Sequence, residues 1–353
     1  MPTIVQFSAP YEVELVDTPT EELPDGHLRV RTWYSGISAG TELTAYRGTN
    51  PYLTKTWEPA HGLFTGSTPS LHYPAAGWGY SEVGEVVEVA TDYAGRHDGV
   101  AVGDVVAGIW GHRSEGVIAA DAATWLPLPA GVQPMHGVFL RVGAIALNAV
   151  LAADVRLGET TVVFGQGVIG LLATQLARLG GTRVLAVDAM KPRLARARRL
   201  GAVQVIAADV DGGAGAQVRR ATGWQGADSA IELSGSYRAL HEAIRSVGRQ
   251  GTVVAAGFYQ GDAQGLRLGE EFHHNQVQIV ASQIGVTPLA LGPRWNQRRL
   301  LTTFLDQLAV GRLDVETLVT DVVDAEQVAS VFRMLDESAE HTLQVVLRFP
   351  GAP

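Results

Sequence analysis

Gly165-Gln166-Gly167-Val168-Ile169-Gly170 has the form G-x-G-x-x-G. It follows the apolar run Thr161–Phe164 and opens an apolar-periodic stretch, Val168–Leu179, which places it at a strand-to-helix turn. There the glycines have separate roles. Gly165 permits the tight turn, Gly167 lets the backbone approach a pyrophosphate, and Gly170 lets helix and strand pack closely. The first helical N–H groups then face phosphate oxygens. Asp188 ends the next strand, 18 residues past Gly170. Its carboxylate there accepts hydrogen bonds from an adenosine ribose diol. The expected chemistry is dinucleotide binding, with NAD favoured over NADP because a 2′-phosphate would meet the charge of Asp188. Lys191 and Arg193 are the nearby groups that could pair with such a phosphate. Ser234 and Gly257, just past two later strands, complete the expected cofactor contacts.

Composition narrows the rest. The chain has 353 residues, which predicts two domains. It contains no cysteine, which excludes disulfides, thiolate nucleophiles, iron–sulfur clusters and Cys-ligated zinc. The formal charge is −9 and the basic residues are scattered, which argues against nucleic-acid and anionic-membrane partners and leaves a small-molecule substrate. Met1–Pro10 lacks the basic and apolar regions of a secretory leader. The longest apolar stretch, Val142–Ala153, is about half of a membrane span and carries Asn148. The expected location is cytoplasmic. His273-His274 resembles a metal pair, but adjacent residues on an extended segment point to opposite faces.

The first 130 or so residues read as β-rich, with Val-rich runs such as Leu28–Thr32, Gly84–Ala90 and Asp104–Ile109 punctuated by Gly, Pro and Asp. Gly48 to Tyr73 reads as a long irregular loop. An apolar helix is expected at Gly137–Ala153. From Thr161 to Ala281 strands and helices alternate, the pattern of a doubly wound parallel sheet. The expected fold class is α/β, with this sheet inserted into a β-rich domain. The boundaries expected are 1–147, 148–288 and a C-terminal completion at 289–353.

The chain resembles the medium-chain dehydrogenase/reductase superfamily, the zinc alcohol dehydrogenase-like proteins. The resemblance rests on Tyr34-Ser35-Gly36-Ile37-Ser38-Ala39-Gly40-Thr41-Glu42, on Gly79-Tyr80-Ser81-Glu82-Val83-Gly84-Glu85-Val86, on Val102-Gly103-Asp104-Val105-Val106, on the glycine loop and on Ile231-Glu232-Leu233-Ser234-Gly235. It implies a GroES-like catalytic domain, an inserted Rossmann domain, NAD(P)-dependent alcohol/carbonyl chemistry and a homodimer pairing near Val277–Ile284. The departures concern zinc. The family's ligand Cys falls on Ser38 or Ala39, its ligand His on Tyr80, and its third ligand on Arg141; the structural-zinc lobe is absent. This pattern is similar to the zinc-less subgroup typified by bacteriochlorophyllide a dehydrogenase.

Hydride transfer to a ketone leaves an alkoxide that a donor or cation must stabilise where zinc would act. The resemblance places Tyr80 and Thr41 there, with Glu42 as either an acid or a structural partner. Arg141 could bind a carboxylate or phosphate of the substrate, or neutralise Glu42. Ser38, His61, Trp78 and Trp110 fall on the expected substrate side; the aromatic residues could line a ring-shaped substrate or staple the core. The expected function is a zinc-independent, NAD(H)-dependent oxidoreductase interconverting a secondary alcohol and a ketone, or reducing an aldehyde. The alternatives are reduction of an activated double bond, as in quinone reductases, and a non-catalytic dinucleotide-binding protein.

Overall fold

The computed structural model describes residues 1–66, 68–91 and 99–353. The chain divides into two compact units, Met1–Arg141 with Glu316–Pro353, and Val142–Val315.

The second unit is built on six parallel strands. Their spatial order is Gln204–Ala207, Arg183–Asp188, Thr160–Phe164, Ala227–Glu232, Val247–Ala255 and Gln278–Ala281. The inner strands are apolar on both faces because helices cover both. Val162, Phe164, Leu185, Val187 and Val253 are buried in this core, together with Leu240 and Ile244 from the helix Tyr237–Ser246. The first strand in sequence lies between the second and the fourth. The chain therefore reverses its winding direction at the carboxyl end of Thr160–Phe164, where open α/β sheets bind ligands. Gln278–Ala281 is the edge strand and, among the described residues, pairs only with Val247–Ala255.

The expected boundaries at 148 and 288 fall inside this unit and are corrected by it. Asn148 donates through its side-chain amide to Ser282 Oγ at 3.1 Å. The helix Gln297–Ala309 belongs here as well: a Cβ placed on Gly143 would lie 2.2 Å from the Phe304 ring, so glycine makes room for that ring. Gln175 also exchanges two hydrogen bonds with the backbone of Asp314, at 3.0 and 2.8 Å.

The first unit contains a seven-stranded sheet whose long member is His27–Ile37. Glu82–Val89 lies antiparallel on one side of that strand and Gln344–Arg348 on the other, with Val319–Asp324 beyond. The chain's last strand thus completes the first unit's sheet. Thr3–Ala9 and Glu12–Asp17 form a hairpin whose Phe7 packs edge-on to Phe332 of the helix Val328–Glu337.

Two elements of this unit differ from the sequence reading. Ala39–Tyr46 is a helix within a part read as β-rich; it buries Leu43, Ala45 and Tyr46 despite the glycine in its first turn. The stretch from Gly48 to Tyr73 contains a short hairpin, Thr56–Glu58 with Leu63–Thr65, whose Trp57, Leu63 and Phe64 are exposed; Ser67 in that stretch lies outside the described residues. Among the described residues, Pro134–Ala152 is the helix long and apolar enough to cross a membrane, and most of it is buried inside the fold.

Candidate active site

In the second unit the glycine loop has the geometry its spacing predicts. Gly165 adopts φ +84°, and a Cβ there would lie 2.8 Å from the Ser234 nitrogen. A Cβ on Gly170 would lie 1.7 Å from the Gly165 carbonyl oxygen, so only glycine lets this helix approach its strand. Gly167 caps the helix Val168–Leu179 with no side chain on its first N–H groups. A Cβ on Gly167 would have only Arg193 Nη1 within reach, at 3.9 Å. The approach to the first helical turn, Val168 and Ile169, is therefore open and has a cation beside it. These features fit the pyrophosphate of a dinucleotide.

Asp188 ends its strand with one carboxylate oxygen 2.6 Å from the Gln166 N–H and the other 2.7 Å from the Met190 N–H. The two bonds fix the carboxylate, and each oxygen keeps a lone pair for a ribose hydroxyl. Lys191 is exposed at the start of the next helix. Gln166 corrects the expectation of a cofactor contact. Its side chain is fully buried, donating to Val163 O at 2.9 Å and accepting from Thr174 at 3.0 Å, and its N–H is engaged by Asp188. Ser234 also turns inward, donating its hydroxyl to Glu232 and its N–H to the same oxygen at 2.7 Å. Glu232, which the sequence reading did not select, further accepts from Gly235 N at 3.1 Å and from the Tyr259 hydroxyl. Burial pushes its carboxyl above the ordinary value. A Cβ on Gly257 would lie 2.3 Å from Gly235 N, so Ser234 and Gly257 meet around this carboxylate.

The first unit brings three hydroxyls together. Ser38 precedes the helix Ala39–Tyr46 and Thr41 lies in its first turn; Tyr80 lies two residues before the start of the strand Glu82–Val89. The Tyr80 hydroxyl makes a short hydrogen bond with Ser38 Oγ and lies 3.3 Å from Thr41 Oγ1. Burial raises the Tyr80 pKa, and the two hydroxyl contacts oppose that rise only in part. The phenol therefore stays protonated at neutral pH and can donate.

Beneath the hydroxyls runs a buried polar chain. Glu42 accepts from the Ser38 N–H at 2.7 Å and meets His112 Nε2 at 2.6 Å. His112 Nδ1 lies 2.5 Å from Ser35 Oγ, which donates to Glu82 at 3.0 Å. The other Glu82 oxygen accepts from the Trp110 N–H at 2.9 Å. Glu42, His112, Ser35 and Glu82 are all completely buried. Burial opposes protonation of His112, but Glu42 and Glu82 outweigh it and hold the imidazole above its ordinary value. Burial likewise raises Glu82. Both Glu42 oxygens are thus engaged, one by the Ser38 N–H and the other by His112. Sequence spacing could not reveal His112, whose partner lies 70 residues away. One trace is Gly79, at φ +113°, where a Cβ would lie 2.8 Å from both Glu82 and the imidazole.

Several expected substrate contacts are placed elsewhere. Trp110 is core, with its indole N–H on Thr32 Oγ1 at 2.8 Å. Trp78 packs edge-on to Phe7 in the hydrophobic cluster. His61 is exposed in the turn of the short hairpin. Arg141 does not neutralise Glu42, whose oxygens are held by Ser38 and His112.

These donors do not fit a catalytic zinc, which takes Cys, His or carboxylate ligands in tetrahedral array. Hydroxyls occupy the centre, and Glu42 and His112 are bonded to one another. The grouping of possible metal ligands among the described residues is His241, Glu270 and Glu271, in the other unit. There Arg267 lies 2.8 Å from both His241 and Glu270, and Arg245 lies 3.2 Å from Glu271, which supplies counter-charge without a cation.

A nucleotide-binding sheet inserted into a β-rich domain that carries a hydroxyl cluster is the architecture of a medium-chain dehydrogenase. Residues 168–293 match the family described as zinc-binding dehydrogenase. The D-guloside 3-dehydrogenase of Escherichia coli K12 is 31% identical, covering 97% of this chain and 98% of that protein. The chain therefore belongs to the zinc-type alcohol dehydrogenase-like medium-chain dehydrogenase/reductase superfamily. In three dimensions it is similar to 2R,3R-butanediol dehydrogenase from Bacillus subtilis, with a TM-score of 0.79, 19% identity and 99% of each chain covered. It is also similar to a short chain alcohol dehydrogenase of E. coli CFT073 complexed with NADH, with a TM-score of 0.78, 18% identity and 99% of each chain covered.

Proposed function

We propose that this protein is a zinc-independent, NAD(H)-dependent dehydrogenase that interconverts a secondary alcohol and a ketone on a sugar- or polyol-like substrate. The observation that carries this reading is the Ser38–Tyr80–Thr41 hydroxyl cluster, with a protonated phenol at its centre. The sugar dehydrogenase relative supports the substrate class.

When bound, the nicotinamide cofactor supplies or accepts the hydride. The first helical turn after Gly167 holds its pyrophosphate and Asp188 its adenosine ribose. In the reductive direction Tyr80 hydrogen-bonds the carbonyl oxygen and gives it a proton as the alcohol forms. Ser38 and Thr41 then relay a proton from solvent water to the phenolate, each hydroxyl giving one proton on as it receives another. In oxidation the same path runs backwards and removes the hydroxyl proton. The chain acts as a homodimer in this reading, joined along the free edge of Gln278–Ala281.

NADH is expected to bind more tightly than NADPH. Like charges held about 4 Å apart cost about 1–4 kcal/mol depending on screening, which is roughly a five- to thousandfold preference. Arg193 reduces this margin, since its guanidinium lies near Gly167 as well as Asp188. Fluorescence titration with both reduced cofactors checks the assignment; tighter NADPH binding refutes it.

Protein purified without added zinc is expected to contain well under one zinc per chain and to keep its turnover after chelation. Elemental analysis, with activity measured before and after chelator, decides this. A stoichiometric zinc whose removal abolishes turnover would overturn the zinc-independent reading.

A further inference from the structure

We propose that the substrate carries a carboxylate and that Arg141 binds it. This deepens the dehydrogenase reading above and rests on it for the identity of the site.

Arg141 is fixed close to the hydroxyl cluster. A Cβ on Gly36 would lie 3.2 Å from Val138 Cβ and 3.4 Å from Ser81 Cβ, so Val138 packs over the hydrogen-bonded strands that lead to Ser38 and Tyr80. Arg141 follows Val138 by one helical turn and therefore projects from the same face. Burial raises the Tyr80 pKa, and the charge of Arg141 is among the influences opposing that rise.

Within the protein this guanidinium lacks what it needs. Its Nη1 is buried and has no hydrogen-bond partner among the described residues. Burial pulls its pKa below the ordinary value, and Tyr80 opposes that fall. Other arginines of this unit are engaged: Arg29 with Glu88, Arg31 with Glu85, Arg47 with Asp336, Arg113 with Glu21 and Arg348 with Asp324. Tyr80, the ionisable group whose charge would act on it, stays neutral, and both Glu42 oxygens are taken by Ser38 and His112. A buried donor is normally satisfied, and a guanidinium is best satisfied by an oxyanion. The missing partner is therefore an acceptor brought by the ligand. One unpaired positive charge matches a carboxylate better than a dianionic phosphate.

The test uses the full chain saturated with NADH and titrated calorimetrically with ligand pairs that differ only in the acid group. Suitable pairs are D-gluconate with D-glucitol, L-galactonate with galactitol, and methyl β-D-glucuronide with methyl β-D-glucoside. Methyl glucoside 6-phosphate forms a further arm. At least one carboxylate is expected to bind about 10- to 100-fold more tightly than its neutral partner, the scale of a charge-assisted hydrogen bond. Arg141→Gln is expected to collapse that ratio to near one, and Arg141→Lys to retain part of it. Thermal unfolding of each variant, measured alongside, confirms that it is folded. No carboxylate preference in any pair overturns the proposal. So does a preference that survives Arg141→Gln, and so does tighter binding of the phosphate than of the glucuronide. The readout is binding, so it stands apart from failure of the Tyr80 chemistry, which would show as absent turnover with the binding ratios intact.

Discussion

Tyr80→Phe is expected to lower turnover by about 10²–10³ while leaving NADH affinity nearly unchanged. The factor is what removing one preorganised donor to a developing oxyanion typically costs. The substitution keeps the ring and removes only the hydroxyl that meets Ser38 Oγ and Thr41 Oγ1. Cofactor binding is spared because the glycine loop and Asp188 belong to the other unit. The measurement is steady-state kinetics on any substrate the wild type turns over, with cofactor titration alongside. A wild-type rate in Tyr80→Phe would place the acid elsewhere. A site without catalysis would show no turnover to lose.

His112→Ala is expected to be the most destabilising single change in the first unit. It leaves the Glu42 carboxylate buried with one partner gone, and breaking a buried ion pair from one side costs about 3–5 kcal/mol. For units of this size that is a fall of roughly 6–20 °C in unfolding temperature. Replacing both partners, as in Glu42→Gln with His112→Gln, is expected to recover part of the loss. The pair also sets a pH dependence. The folded pKa values of His112 and Glu82 both lie above their ordinary ones. Each group therefore binds its proton more tightly when folded, and each contribution is complete below the unfolded pKa. Stability is lost as pH rises, from about 4.5 for Glu82 and 6.5 for His112 up through the folded values. Thermal unfolding followed from pH 5.5 to 9 should show this decline, and His112→Ala should remove the imidazole's share of it while leaving that of Glu82. Unfolding temperatures that match the wild type at every pH would show that the buried chain contributes nothing.

The nucleotide unit was legible because its determinants are local. The glycine triplet, the strand before it and Asp188 lie within one βαβ stretch, and backbone sterics there leave little choice of residue. The first unit was legible only in outline. Its sheet joins strands far apart in sequence, and Val319–Asp324 gave no signal strong enough to separate it from the surrounding loops. The helix Ala39–Tyr46 was hidden by Gly40, a local preference that burial of Leu43 and Tyr46 overrides. The hydroxyl cluster could be found only by placing Tyr80 and Thr41 on a family pattern. The chain from Glu42 through His112 and Ser35 to Glu82 was out of reach, because pairing between distant buried residues leaves no periodicity to read. Trp78 and Trp110 left two readings open because tryptophan serves a core and a ligand wall equally well; burial places Trp110 in the core, and Trp78 packs partly buried against Phe7.

The return of the chain to its first sheet also fixes an order of assembly. Gln344–Arg348 pairs with His27–Ile37, and the Gln344 side chain reaches Ile37 O across 307 residues of sequence. During synthesis the amino-terminal sheet must wait, with one side of its longest strand open, while everything between is made. The nucleotide unit is complete in sequence by Val315. On the ribosome the inserted unit can therefore close first. The host that encloses it in sequence begins earlier and finishes last.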